Sequence, residues 1–257
     1  MRLLNVHTYA LHEFIGTDIP YYAILSHCWE SEEVTFQALK AGEAAQMKGW
    51  IKIKGCCEQA IEEGLNYAWI DTCCIDKSSS AELSEAINSM FTWYQMAESC
   101  YVYLSDVFFK PYAPTFNGSD PEWLKSFQSS KWFTRGWTLQ ELLAPGTVVF
   151  FDKNWKEFGT KESLEDQVIS ITGIRHLFDF EKASIAQRFS WASKRETTRI
   201  EDTAYCLMGI FGVNMPLLYG EGAAAFLRLQ LEILKISNDE TLFAWEDPSL
   251  SHVCHTR

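Results

Sequence analysis

Tyr21-Tyr22-Ala23-Ile24-Leu25-Ser26-His27-Cys28-Trp29 follows Pro20 and reads as a buried β-strand that runs out into polar and aromatic residues at its C-terminal end. Between Trp50 and Gly64, the residues Ile53, Cys57, Ala60 and Ile61 recur at helical spacing, and the glycine supplies a stop. Tyr67-Ala68-Trp69-Ile70-Asp71 is then a second short apolar run, ending in acid. Strand, helix and strand in that order predict a βαβ unit and a parallel sheet. Ligands of open α/β sheets bind outside the carboxyl ends of the strands, so Ser26, His27 and Asp71 are site candidates by position. Each has a structural alternative: Ser26 and His27 could close a turn, and Asp71 could cap the helix that follows. His27 and Cys28 are adjacent, and neighbouring strand residues point to opposite faces, which argues against a thiol–imidazole pair.

Further along, Ser78-Ser79-Ser80 precedes a helix with Leu83, Ile87, Met90, Phe91 and Tyr94 on one face, and Ser79 with Glu82 has capping-box spacing. Cys100-Tyr101-Val102-Tyr103-Leu104 and Thr147-Val148-Val149-Phe150-Phe151 read as two more buried strands. The loop 111–121, rich in Pro, Asn, Gly and Asp, is long enough for a lid or a surface excursion. After it the chain changes character. Segments 164–172, 185–193, 200–211 and 221–236 read as helices, the last apolar on nearly every side and therefore expected to be buried. No linker separates the halves. One continuous domain over 1–257 is predicted, an α/β core over 1–155 with a mostly helical extension over 156–257 packed on it.

The working end is read into Lys131-Trp132-Phe133-Thr134-Arg135-Gly136-Trp137-Thr138-Leu139-Gln140-Glu141-Leu142-Leu143-Ala144-Pro145. On a helix over 136–144, Leu139, Leu142 and Leu143 share the core face, while Trp137, Gln140 and Glu141 share the opposite one. Trp137 lies one turn before Glu141, so the carboxylate stands beside an aromatic wall. Glu141 is the candidate catalytic residue. Its structural alternative is a solvated helix glutamate.

Composition removes several classes. A chain of 257 residues with 47% apolar and 14% aromatic content builds a substantial core. The formal charge of -12 and the lack of a Lys/Arg run argue against a nucleic-acid partner. Apolar stretches are too short for a membrane span, and the first residues do not develop into a signal peptide. Eight cysteines without a secretion signal are expected as reduced thiols in the cytoplasm. Cys56-Cys57 and Cys73-Cys74 lack zinc-binding spacing, so no metal is expected.

Taken together, Tyr22–Trp29, Trp69–Asp76 and Trp132–Leu142 resemble the three sequence blocks of the fungal heterokaryon incompatibility (HET) domain. Arg199, Glu201-Asp202, Ala204-Tyr205 and Leu217-Leu218-Tyr219-Gly220-Glu221-Gly222 look like that family's downstream elements. Cys28 stands where many members carry threonine. The resemblance implies a cytoplasmic cell-death effector of fungal non-self recognition, activated by clustering through homotypic self-association. It also implies NACHT and WD-repeat modules in the same receptor, with 252–257 as the start of a linker.

The family is distantly similar to TIR domains, which implies a flavodoxin-like, mainly parallel sheet with helices on both faces. Some TIR domains cleave NAD and others are adaptors. Ser130-Lys131-Trp132 and Gln140-Glu141-Leu142 look like an expanded version of the TIR segment that holds the catalytic glutamate. The resemblance thus implies NAD as a substrate, no cofactor, and Glu141 as the central residue. Ser26, His27, Trp29, Asp71, Trp132, Arg135 and Trp137 are the expected contacts around it. Arg135 would pair with the pyrophosphate or serve as a surface arginine. The alternative is a non-enzymatic scaffold that signals by assembly.

Overall fold

Among the described residues seven strands form a single mixed sheet: β1 (Arg2–Asn5), β2 (Leu11–Glu13), β3 (Ala23–His27), β4 (Tyr67–Trp69), β5 (Ser99–Tyr103), β6 (Val148–Phe151) and β7 (Glu157–Thr160). Their order is β2-β1-β4-β3-β5-β6-β7. This computed structural model describes residues 1–16, 18–110 and 122–244, so the loop 111–121 and the segment 252–257 lie outside the described residues. The four central strands are mutually parallel, with Ile24 opposite Trp69 on one side and Cys100 on the other. Every residue of β3, β5 and β6 is buried. That is why their sequences are continuous apolar runs rather than alternating ones.

Helices fill the crossovers. α1 (Phe36–Ala41) and α2 (Trp50–Glu62) link β3 to β4, while α3 (Asp71–Cys74) and α4 (Ser80–Met96) link β4 to β5. α5 (Glu122–Gln128) and α6 (Thr138–Leu143) lie between β5 and β6. In order of appearance the parallel strands run 2-1-3-4 across the sheet, the start of the flavodoxin-type order. Because the chain steps one way from β3 to β4 and the other way afterwards, right-handed crossovers put α2 on one face and α4 and α6 on the other. α4 and α6 do touch each other.

The edges depart from the sequence reading. β1, β2 and β7 run antiparallel to their neighbours, and β7 carries the sheet past residue 155 into the segment read as helical extension. These strands are three or four residues long with partly exposed faces, so they lack the apolar run that marks the central ones. Ser79 caps α4 by accepting from the Glu82 backbone, but only half of the predicted capping box forms. The Glu82 carboxylate instead accepts from the Asp76 backbone N–H at 2.7 Å and pairs with Arg2.

The extension contains α7 (Glu165–Thr172), α8 (Ile185–Ala192), α9 (Asp202–Tyr205), α10 (Met208–Phe211) and α11 (Ala224–Ile236). The helix expected over 200–211 is two short helices, and α11 starts only after Gly220 and Gly222, both at positive φ. α10 packs on α4 and α6. Gly209 permits that approach, since a Cβ there would lie 2.1 Å from the Phe91 Cβ. α11 overturns the expectation of burial on every side: it packs on α9 through Ala225, Leu229 and Ile233 and leaves Leu227, Leu231, Leu234 and Ile236 exposed.

Candidate functional site

A pocket of about 320 Å³ opens at the carboxyl ends of the parallel strands, where the strand order reverses. His27 and Trp29 reach it from the end of β3, Asp71 and Lys77 from beyond β4, and Tyr94 and Met90 from α4. Arg135, Trp137, Thr138 and Glu141 come from the segment leading into α6. The extension closes the far side with Thr198, Arg199, Asp202 and Tyr219.

α6 is shorter than the sequence suggests, and all six of its residues are buried. The predicted division into a leucine face and a polar face does not separate core from solvent, because α6 is held among β3, α4 and α10. Glu141 is therefore a buried carboxyl, 7% exposed, on the pocket wall. Trp132 Nε1 donates to Ser26 Oγ at 2.8 Å, and Ser26 Oγ donates to Glu141 Oε2 at 2.5 Å. An indole N–H can only donate, so Trp132 fixes Ser26 Oγ as the acceptor of that bond and leaves the hydroxyl hydrogen free for Glu141. Burial, and then the negative charge of Asp71, push Glu141 up to about 8, against the Ser26 hydrogen bond and the Arg135 charge.

Asp71 has the opposite environment. His27 Nε2 contacts one carboxylate oxygen at 3.2 Å, and Trp29 Nε1 donates to the other at 2.9 Å. Lys77 Nζ lies 3.6 Å from Asp71 and 3.4 Å above the Trp29 ring. Burial opposes its charge, but Lys77 and the His27 and Trp29 hydrogen bonds outweigh that and hold Asp71 well below the ordinary carboxylate range. The carboxylate does not cap α3, whose N-cap position is Ile70 and has no side-chain cap bond. Two carboxyl groups in one pocket are thus driven apart, one ionised and one held neutral near pH 7, the pattern of paired acid and base sites.

Of the sequence-derived candidates, His27, Trp29, Asp71, Arg135, Trp137 and Glu141 line this pocket together. Ser26 and Trp132 do not. Both are fully buried behind the wall, where Trp132 packs edge-on against Phe133 and Phe150 and the pair orients Glu141. The Cys28 thiol is pushed up to about 12 by burial, which leaves it a poor nucleophile. Among the described residues no group of His, Cys, Asp and Glu could hold a metal ion, and no helix is long and apolar enough to cross a membrane.

Lys77, Tyr94 and the extension wall had no assigned role in the sequence. A parallel bridge joins Arg135 to Glu196: Gly136 N donates to Glu196 O at 2.8 Å, and Glu196 N donates to Thr134 O at 2.6 Å. Gly136 makes this possible, because a Cβ there would stand 2.5 Å from Thr197 Cγ2. Arg195 donates to Arg135 O and to Thr138 Oγ1, each at 2.9 Å. Tyr219 donates to Asp202 at 2.9 Å and carries the Arg199 guanidinium 4.4 Å above its ring. Its loop is pinned by Glu201, whose carboxylate accepts from the backbone of Gly220 at 2.8 Å and Gly222 at 3.1 Å.

The profile described as "Heterokaryon incompatibility protein (HET)" matches residues 22–108. The chain is also 48% identical over 235 residues to "Vegetative incompatibility protein HET-E-1" of Podospora anserina. That alignment covers 88% of this chain and 17% of the relative, so the chain spans about a sixth of the length of the protein it matches. No solved structure matches. The profile covers β3 to β5 and the alignment nearly all of the chain, including most of the elements that build the pocket, and on these two findings the chain belongs to the heterokaryon incompatibility (HET) family.

Proposed function

We propose that the chain is an effector unit of heterokaryon incompatibility that triggers cell death when clustered, and that its pocket hydrolyses NAD to nicotinamide and ADP-ribose. The observation that supports this reading best is Glu141, a buried carboxyl raised to about 8 at the end of a Trp132–Ser26 hydrogen-bond relay on the wall of an aromatic-lined pocket. In hydrolysis the bond from nicotinamide nitrogen to ribose C1′ breaks, and its electron pair neutralises the pyridinium. Water then adds to C1′ and releases one proton. The positive charge of the bound pyridinium draws Glu141 into its ionised form. The resulting carboxylate faces the developing oxocarbenium ion and accepts the proton of the attacking water. Trp137 and Tyr94 wall off solvent beside it.

Self-association and NACHT and WD-repeat modules of a longer receptor are the proposed partners, clustering being the activating step. A second reading, a scaffold that signals by assembly without turnover, is favoured by the exposed leucine face of α11. The two are separated by measuring nicotinamide release from NAD by the purified chain at forced high local concentration, beside Glu141→Ala. Release by wild type and none by the folded variant supports the enzyme. Absence of release from clustered, toxic protein refutes it and leaves the scaffold.

A further inference from the structure

Among the described residues three cations, Lys77, Arg135 and Arg199, line the pocket of a chain whose formal charge is -12. Of these, Lys77 is paired with Asp71. Arg135 and Arg199 are different. Among the described residues neither guanidinium donates a hydrogen bond or joins an ion pair, although each lies within electrostatic reach of a pocket acid, Glu141 for Arg135 and Asp202 for Arg199. Burial raises both acids above their ordinary values. Two forked donors with unused hydrogen-bonding capacity therefore face one cavity.

Their placement is built rather than incidental. Arg135 is half-buried in the segment entering α6, its backbone held by Arg195 and by the bridge to Glu196. Arg199 follows Glu196 by three residues, so the same bridge sets where it emerges. Tyr219 then supports its guanidinium from below, oriented by Asp202 and by the loop that Glu201 pins. One arginine thus comes from the sheet's own crossover and the other from the extension, and the Arg135–Glu196 bridge holds the two segments in register.

We propose that Arg135 and Arg199 form an anion subsite that receives a phosphate or pyrophosphate group of the ligand, and that this contact ties the extension to the sheet when the pocket is filled. Planar guanidinium forks match phosphate oxygens in bidentate geometry, and two of them on one rim suit a pyrophosphate better than a single charge would. The field they create inside a negatively charged molecule also selects the anionic end of a ligand for entry. The proposal deepens the reading of the pocket as a dinucleotide site and rests on it only for which phosphorylated compound is bound.

The test is equilibrium binding of inorganic pyrophosphate and of ADP-ribose to the 257-residue chain, followed by calorimetry, with adenosine as the phosphate-free control. Neither ligand contains the nicotinamide bond, so binding is read without turnover. The expected result is that both anions bind and adenosine does not compete with pyrophosphate. Arg135→Ala and Arg199→Ala should each weaken pyrophosphate by about tenfold or more, and Arg199→Lys should restore part of that. Arg199 is exposed, and an unchanged thermal midpoint in its variants separates lost binding from lost folding. Pyrophosphate bound equally well by Arg199→Ala, or not bound by wild type at all, overturns the subsite. Arginine-dependent pyrophosphate binding in a protein that never releases nicotinamide upholds the subsite and removes only the NAD reading. Nicotinamide release with a KM for NAD unchanged by Arg199→Ala does the reverse.

Discussion

Replacing Glu141 by glutamine should stabilise the protein, and the gain should grow with pH. Glu141 is raised from its ordinary 4.5 to about 8, with burial the leading cause. The folded chain therefore keeps this proton over a range in which the unfolded chain has released it. Between pH 4.5 and about 8 the folded state binds more protons, so stability falls as pH rises through that window, the reverse of a salt-bridged carboxylate. The full span corresponds to roughly 5 kcal/mol, of which roughly 3 kcal/mol is already lost at pH 7. Glutamine has nearly the same shape, can still accept from Ser26, and does not titrate. In denaturant unfolding the variant should match wild type near pH 4 and exceed it by roughly 3 kcal/mol at pH 7 and roughly 5 kcal/mol at pH 9. At pH 7 that difference corresponds to a rise in midpoint temperature of about 6–12 °C. A difference independent of pH would show that Glu141 ionises freely in the folded protein, and the account of a neutral carboxyl held for use on a cationic ligand would be wrong. A residue that destabilises its own fold at neutral pH, and whose amide isostere relieves the cost, is more simply explained by function than by architecture.

Other consequences can be checked with single variants. Ser26→Ala removes the donor that favours the ionised form of Glu141, so the rising, acid limb of a pH–activity profile should move to higher pH, while Trp132→Phe leaves Ser26 able to donate and should have a smaller effect on that limb. Glu201→Ala frees the loop bearing Tyr219 from two charge-assisted bonds, and a loss of about 1–3 kcal/mol in ligand binding is expected, measured by calorimetry, with a smaller change in midpoint temperature. On α11, Leu227→Gln and Leu231→Gln should change stability by no more than about 0.5 kcal/mol in denaturant titrations, whereas Leu229→Ala on the packed face should cost about 2–5 kcal/mol. Gly209→Ala should force α10 away from Phe91 and lower stability by about 1–3 kcal/mol, read by the same titrations.

The parallel centre of the sheet was legible because a strand covered on both faces has no choice but to be apolar along its length. Ala23–His27 and Ser99–Tyr103 are such strands, and every residue in them is buried. The edge strands were not legible for the converse reason. Leu11–Glu13 has one half-buried residue followed by two exposed ones, and its identity as a strand lies in its pairing with Arg2–Asn5. Glu141 could be singled out from its neighbours, but its burial could not, since that depends on α10 arriving from a different part of the chain. Ser26 illustrates a further limit. Its position at the end of β3 made it a candidate by location, yet only the Trp132 and Glu141 contacts reveal that it faces inward, behind the pocket wall, and orients the carboxyl. Leucines at 227, 231 and 234 look identical in sequence to core leucines, and apolarity alone does not distinguish a face packed inside the chain from one left bare.

The pocket's walls come from residues as early as His27 and as late as Tyr219, and this gives the protein a timetable. During synthesis, Glu141 leaves the ribosome well before Arg199 and Tyr219 exist. At ~5–20 residues per second the interval lasts several seconds. Throughout it the nascent sheet has its carboxyl group but no far wall and no second arginine. The site is therefore finished last, and only a chain extended past Tyr219 can close it.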